Sequence, residues 1–228
     1  AQALATDADI QVALRGAYAG LRATNLYGRT LMVLGDIMAD NTYQSVTNTN
    51  RYTLFNNYLY NVTDGDVAGV WTSAYNVILR ANNIINSTVP DNANVLQYKG
   101  EAYAIRALAY FNLVRFFATP YVKDPNALGV PLVTTYNADL KPGRNTVAEV
   151  YALINADLDK AYNAMTKFTN SSQFSKYAAK GLQARVYLTM GNKAAAKTAA
   201  LDVITNSGFT PVSAANHAAY WSAVAVRT

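Results

Sequence analysis

The sequence contains no cysteine and only one histidine, His217, among its 228 residues. The absence of cysteine excludes disulfides, cysteine-bearing zinc sites and thiol nucleophiles, and it leaves the redox compartment undetermined. A single histidine excludes a multi-histidine metal site and argues against a catalytic triad. We therefore predict that the protein has no metal site, no cofactor and no catalytic residues.

Charged residues are also scarce, at 14% of the chain, although lysine and arginine outnumber aspartate and glutamate by 19 to 14. The basic residues are scattered along the sequence and form no run. A nucleic-acid-binding protein normally concentrates its positive charge in a patch or stripe. The composition therefore argues against nucleic acid as a partner.

Long hydrophobic runs are missing, because no apolar stretch reaches the ~18–20 residues of a membrane span. The first residues, AQALATDADIQ, have neither the basic nor the apolar region of a signal peptide. The sequence is thus that of an intracellular protein or of one whose leader has been removed.

Capping signals and apolar residues at helical spacing predict an all-α protein. Four predicted helices cover residues 29–40, 94–118, 175–190 and 193–206. Another runs from Asp66 to just before Val89 and Pro90, and two more begin after Thr6 and at Thr146. Prolines exclude regular helix between residues 120 and 144. Residues 41–65, which are rich in Asn, Thr and Tyr, predict an ordered polar and aromatic loop with at most short turns.

The helix over residues 94–118 is apolar on nearly all of its faces, which predicts a central rod surrounded by other helices. Arg106 lies within an apolar face that also carries Tyr110. Because an unpaired buried charge costs several kcal/mol, Arg106 needs a carboxylate or carbonyl partner, and Glu101 lies on the other side of the helix. We assign structural roles to Arg106 and Tyr110, and also to Trp71, which belongs to an apolar stripe.

The segment ARVYLTMGNKAAAKTAALDVI has the layout of a tetratricopeptide-type helical hairpin, with a tight turn at Gly191 and Asn192. Small residues such as Ala196 let the two helices approach closely. Ala200 stands where such repeats usually carry an aromatic residue, so the repeat is degenerate.

The segment EAYAIRALAYFNLVRFFATPYVKDPNALGVPLV closely resembles the signature of the SusD/RagB family of outer-surface nutrient-binding lipoproteins. Three further segments resemble the same family in the same order: VWTSAYNVILRANNIIN, RNTVAEVYALINADLDKA and AAKGLQARVYLTMGNKAAAKTAA. Together the four matches span roughly residues 67–205.

The resemblance implies a right-handed α-α superhelix of tetratricopeptide-like helix pairs with long ordered loops. It also implies a cell-surface protein of the outer membrane, held by a lipid on an N-terminal cysteine, and a partner that is a SusC-like TonB-dependent transporter. The cargo of the family is usually a glycan and sometimes a peptide.

Two features depart from the family. The lipid-bearing cysteine is absent, so membrane association is expected only through an anchor missing from this chain. The family continues into a C-terminal half, so residues 1–228 are expected to form a single helical domain that is either an N-terminal fragment or a shortened relative.

The resemblance places part of the glycan site in the loop region that precedes the Trp71 helix. Sugar rings pack on aromatic side chains, while their hydroxyls bind amide and guanidinium groups. The candidate ligand-binding residues are therefore Asn41, Tyr43, Arg51, Tyr52, Phe55, Tyr58 and Tyr60. Any one of the aromatic rings could instead hold the loop onto the helices.

The sequence leaves two other functions open, a glycosidase and a protein-binding scaffold. Asp36 and Asp40 are spaced to share a helix face, as a pair of glycosidase carboxylates would be, but a solvated helix end is the commoner explanation for such a pair. The main alternative is a tetratricopeptide-type scaffold that binds a protein or peptide in a groove of charged and polar residues.

Overall fold

The computed structural model describes residues 4–61 and 63–222, and their regular structure is helical apart from one isolated β-bridge between Leu128 and Thr146. The helices are α1 (Asp7–Leu21), α2 (Thr30–Met38), α3 (Thr53–Asn56), α4 (Gly65–Ile85), α5 (Ala93–Phe117), α6 (Val147–Ala164), α7 (Lys176–Thr189), α8 (Lys193–Asn206) and α9 (His217–Ser222), with a 3₁₀ turn at Ala214–Asn216. The all-α prediction is confirmed. None of the helices in these two ranges is both long enough and apolar enough to cross a bilayer.

The six long helices pack as a series of antiparallel neighbours. Helix α1 packs on α4, α4 on α5, α5 on α6, α6 on α7 and α7 on α8. Additional contacts join α1 to α5 and α5 to α7. Alternate helices α1, α5 and α7 therefore lie side by side in one layer, and the chain has a tetratricopeptide-like helical fold.

Local capping interactions define where the helices begin. Thr6 with Asp9 and Thr146 with Glu149 form the two capping boxes that the sequence predicts. The start of α4 differs from the prediction, because Asp64 rather than Asp66 is the N-cap residue. The Asp64 carboxylate accepts hydrogen bonds from the backbone N–H groups of residues 66 and 67, and Asp66 is left to pair with Arg29.

Helix α5 is the central rod of the fold, and its buried positions lie on nearly all of its faces. Arg106 is buried in this helix and donates two hydrogen bonds of 2.8 Å, from Nε and Nη2, to the carboxylate of Asp157 on α6. Its Nη1 donates a third to Asn82 Oδ1 on α4 at 2.8 Å. The buried charge thus joins three helices.

Tyr110 and Asn82 also hold the proline-containing segment that follows α5. The Tyr110 hydroxyl accepts a hydrogen bond from the N–H of Val133 at 2.7 Å and donates to the carbonyl of Val133 at 3.0 Å. Asn82 Nδ2 donates to the same carbonyl at 2.8 Å. Residues 119–145 contain no helix, as the prolines predict.

Trp71 lies half-buried on α4, at the edge of the core. Its ring is 5.0 Å from that of Tyr75 and 5.0 Å from that of Phe117, measured between centroids. These contacts connect α4 with the end of α5, next to the polar loop.

Candidate functional site

Residues 41–61 form a loop that contains α3 and lies over a groove between α2, α4 and the end of α5. The groove encloses a cavity of about 320 Å³. Its walls are apolar and comprise Leu34, Met38, Val67, Val70, Phe116 and Phe117. Phe55 and Tyr60 of the loop also line it, so the underside of the loop is attached to the helical core.

Tyr52 anchors the middle of the loop to the start of α2. Its hydroxyl accepts a hydrogen bond from Arg29 Nε at 2.7 Å and lies 3.2 Å from Thr30 Oγ1. Arg29 is in turn 3.8 Å from the carboxylate of Asp66 at the start of α4. The phenol of Tyr52 is therefore already occupied within the protein.

Tyr58 anchors the far end of the loop to the end of α2. Its hydroxyl lies 2.9 Å from the carbonyl oxygen of Met38 and 3.2 Å from Asp40 Oδ1, and it can donate to either. Desolvation raises the pKa of Tyr58, and the neighbouring Asp40 carboxylate acts in the same direction. The ring is nevertheless 54% exposed, so its faces remain available to a ligand.

Both anchoring tyrosines have left-handed backbone conformations, with φ of 62° at Tyr52 and 55° at Tyr58. This region is disfavoured for bulky side chains and costs about 1–3 kcal/mol per residue. Such strain persists only where other interactions hold it, and here the two phenol hydrogen bonds do so. Strained backbone of this kind is concentrated at binding sites.

Gln44 organises the first half of the loop. Its Nε2 donates to Thr53 Oγ1 at 2.7 Å and to the Arg51 carbonyl at 3.3 Å, while its backbone N–H donates to Asn56 Oδ1 at 3.3 Å. Sequence reasoning did not identify this residue, because a glutamine in a polar loop gives no local signal of its partners.

Phe55 and Tyr60 stack on each other, with centroids 5.0 Å apart and ring planes inclined by 12°. Phe55 is only 2% exposed, whereas Tyr60 is 41% exposed. Phe55 thus fixes the position of the Tyr60 ring and does not itself present a surface.

Asn41, Tyr43 and Arg51 have exposed side chains that form no hydrogen bond or ion pair within residues 4–61 and 63–222. Tyr43 is 87% exposed. The loop surface therefore offers the rings of Tyr43, Tyr58 and Tyr60 together with one free amide and one free guanidinium group. Flat apolar faces beside free hydrogen-bonding groups are the chemistry that a sugar requires.

The carboxylates considered for catalysis lie beside this surface. Asp36 and Asp40 are both exposed, and Asp40 accepts the hydrogen bond from Tyr58. Asp40 thus takes part in holding the loop.

A SusD-like family model, described as "Starch-binding associating with outer membrane", matches residues 2–188. SusD-like protein P2 of Formosa agariphila is 33% identical over 211 residues, which cover 88% of this chain and 40% of that protein. SusD-like protein P38 of the same organism is 29% identical over 209 residues, which cover 90% of this chain and 39% of that protein.

Two crystal structures show the same similarity. A SusD superfamily protein from Bacteroides thetaiotaomicron is 30% identical with a TM-score of 0.85, and the match covers 94% of this chain and 50% of the other. A putative sugar binding protein from Bacteroides vulgatus is 30% identical with a TM-score of 0.81, covering 90% of this chain and 47% of the other. The chain spans half or less of the length of these relatives. The family match, which extends over most of the sequence, and the shared fold show that the chain belongs to the SusD-like family.

Proposed function

We propose that this protein binds a glycan on the surface of residues 41–61. The observation that carries the proposal is that one anchored loop presents three exposed tyrosines, at positions 43, 58 and 60, and also carries the exposed, unpaired side chains of Asn41 and Arg51. The family description of starch binding and the relative described as a putative sugar binding protein support it.

The roles within this surface differ between residues. Tyr43 and Tyr60 supply faces for sugar rings, and Tyr58 supplies a ring whose hydroxyl is held by α2. Asn41 and Arg51 supply hydrogen bonds to sugar hydroxyls. Tyr52 and Phe55 act by positioning the others, because the hydroxyl of Tyr52 is occupied and Phe55 is buried.

Glycan capture is proposed to serve uptake, with binding as the function and without catalysis. In this proposal the whole protein sits at the cell surface on a lipid anchor at the outer membrane, and it passes the glycan to a SusC-like TonB-dependent transporter. The association of the family with the outer membrane supports this location. Residues 1–228 are proposed to be one helical domain, to which a C-terminal half adds further binding surface.

The proposal is tested by calorimetric titration of starch, xyloglucan, galactan and pectin fragments into the protein. The contact variant is the double substitution Tyr43→Ala and Tyr60→Ala. The control is Tyr136→Ala, which removes a tyrosine that is 70% exposed and belongs to the segment after α5. We expect saturable binding of one glycan, weakened at least tenfold by the contact variant and unchanged by the control.

Two outcomes contradict the proposal. Equal affinity in the wild type and the contact variant would move the site away from the loop. Absence of binding to every glycan would show that residues 41–61 do not form a sufficient glycan site in this chain.

A further inference from the structure

A second cavity, of about 470 Å³, lies between α1, α5 and α7. It is distinct from the groove beneath residues 41–61, with which it shares no lining residue. Its walls are mainly apolar, and residues 171–174 close one side of it. Its lining includes Arg15, Tyr18, Arg22, Tyr27, Leu108 and Phe174.

Two arginines line this cavity, and two more lie near its Tyr27 side chain. Arg15 and Arg22 line it from α1 and from the residue that follows α1. Arg115 of α5 and Arg185 of α7 lie close enough to the Tyr27 phenol for their charges to lower its pKa, against the larger effect of burial, which raises the pKa.

The four arginines differ from the structural arginine in the core. All four are exposed, and within residues 4–61 and 63–222 none of them forms an ion pair. No aspartate or glutamate lines the cavity. Like charges brought together without acidic partners repel one another, and a bound anion would relieve that repulsion.

Tyr27 adds a hydrogen-bond donor to the same place. Its hydroxyl accepts a hydrogen bond from Asn112 Nδ2 at 2.8 Å, and none of the described residues accepts the Tyr27 proton. The Tyr27 side chain is partly exposed at the cavity. The phenol proton is therefore available to an acceptor atom of a ligand.

The walls and the charges together restrict the class of ligand. A purely apolar ligand would leave the arginines unpaired, and an inorganic anion would make no use of Tyr27, Leu108 and Phe174. A sugar acid carries an anionic group that guanidinium groups bind, and a ring with an apolar face that packs on aromatic side chains. The volume lies within the roughly 300–1,000 Å³ typical of small-ligand sites.

We propose that the cavity between α1, α5 and α7 binds an acidic sugar unit, with its carboxylate or sulfate group beside Arg15 and Arg22 and its ring against Tyr27 and Phe174. The proposal takes from the proposed function only that the ligand is a glycan. It places a second, charge-selective subsite on the helical layer, separate from the loop of residues 41–61.

The test is calorimetric titration of four probes: trigalacturonate, a sulfated carrageenan tetrasaccharide, neutral galactotriose and an oligoglutamate peptide. The variant is the double substitution Arg15→Gln and Arg22→Gln, which removes both arginines that line the cavity. Lys141→Gln is a control that removes a positive charge from an exposed residue elsewhere. Thermal unfolding checks that each variant remains folded. A third variant, Arg51→Gln, reports on the loop surface.

We expect at least one acidic probe to bind tenfold or more tightly than galactotriose, with an affinity that falls as salt is added. The double arginine variant should weaken this binding at least tenfold, whereas Lys141→Gln should leave it unchanged. The carboxylate and sulfate probes then distinguish the two kinds of acidic sugar.

Three results would overturn the proposal. The first is unchanged acidic-probe binding in the double arginine variant, or no binding of either acid. The second is a loss of acidic-probe binding in Arg51→Gln alone, which would assign acidic sugars to the loop. The third is equally tight, arginine-dependent binding of an oligoglutamate peptide, which would identify a polypeptide site. Binding of neutral glycans to the loop surface is measured separately, with the variant Tyr43→Ala and Tyr60→Ala. That measurement tests the proposed function and leaves the acidic-sugar proposal unaffected.

Discussion

Arg106 and Asp157 form a bidentate ion pair in the core, in which Nε and Nη2 of the guanidinium each lie 2.8 Å from a different oxygen of the carboxylate. The side chains are 4% and 0% exposed. Because both oxygens and both donors are matched, the charge that interrupts the apolar surface of α5 is neutralised where the helix meets α6.

Removal of one partner of this pair should strongly destabilise the protein. Arg106→Ala or Asp157→Asn would leave a buried, uncompensated group, for which a loss of about 3–5 kcal/mol is typical. We expect urea unfolding to show this loss, and Arg115→Ala, which removes an exposed arginine from the same helix, to cost less than about 1 kcal/mol. Wild-type stability in Arg106→Ala would contradict a structural role for the pair.

Glu101 should make the folded state less stable as the pH rises. It is buried, and its carboxylate accepts hydrogen bonds from Tyr18 at 2.7 Å and Gln97 at 3.0 Å but forms no ion pair with a described residue. Burial raises the pKa of Glu101 above the usual 4.5, against the lowering effect of these hydrogen bonds. The folded state therefore holds the proton more tightly than the unfolded state, and this contribution is complete below pH 4.5 and lost as the pH rises through the raised pKa.

The measurement is the free energy of unfolding of the wild type and of Glu101→Gln between pH 4 and pH 8. The wild type should lose stability relative to the variant as the pH rises. Glu149→Gln is a control of opposite sign, because hydrogen bonds from Thr146 lower the pKa of Glu149, so that its contribution is lost as the pH falls. Parallel profiles for the wild type and Glu101→Gln would show that Glu101 does not titrate differently on folding.

Gly100 and Gly181 should respond in opposite ways to substitution by alanine. A Cβ atom on Gly100 would lie 2.7 Å from Cγ of Met165 and 3.1 Å from Cβ of Ala164, so the interface between α5 and the end of α6 must shift. We expect Gly100→Ala to cost about 1–3 kcal/mol. No atom lies within 4 Å of a Cβ on Gly181 in α7, so Gly181→Ala should gain about 0.5–1 kcal/mol from helix propensity.

Thermal unfolding of these two variants gives the comparison directly. If the thermal unfolding midpoints of Gly100→Ala and Gly181→Ala change equally, helix propensity alone governs both positions. The close contact at Gly100 would then have no effect on stability.

Tyr52→Phe should loosen the loop without removing an aromatic ring. The substitution deletes the hydroxyl that binds Arg29 and Thr30, and it leaves a disfavoured backbone conformation with less to hold it. We expect a local loss of about 1–2 kcal/mol, seen as faster amide hydrogen exchange in residues 53–57. Tyr43→Phe is the matched control, since the Tyr43 hydroxyl has no partner among the residues described, and its exchange should equal that of the wild type.

Helices α1, α2 and α4–α8 could be predicted because their signals are local, whereas the short helices α3 and α9 were not predicted. The capping boxes at Thr6 and Thr146 and the prolines after α5 act over a few residues, and the structure confirms each of them. The N-cap of α4 is the exception, because the sequence predicts Asp66 and the structure has Asp64 in this position. Asp64 and Asp66 have the same chemistry, and only the path of the chain decided that Asp64 caps the helix while Asp66 faces Arg29.

The sequence predicts which residue types the candidate site contains, but it does not predict the contacts that each residue makes. The seven candidate positions do lie on one loop, yet the same residue type has different roles at positions 43, 52 and 60. Tyr52 is held by Arg29, Tyr60 stacks on Phe55, and Tyr43 has no such contact. The arginines in and near the second cavity come from α1, the residue that follows it, α5 and α7, and they form no motif along the chain.

The sequence by itself determined the all-α class, the positions of α1, α2 and α4–α8, the irregular segment after α5 and the family, because these depend on spacing, caps and prolines within single segments. It also required a partner for Arg106. Only the tertiary structure decided that the partner is Asp157, 51 positions away along the chain, and which tyrosines and arginines remain free. The physical reason is that a side chain is occupied or available according to atoms brought to it by distant parts of the chain, and no local pattern contains them.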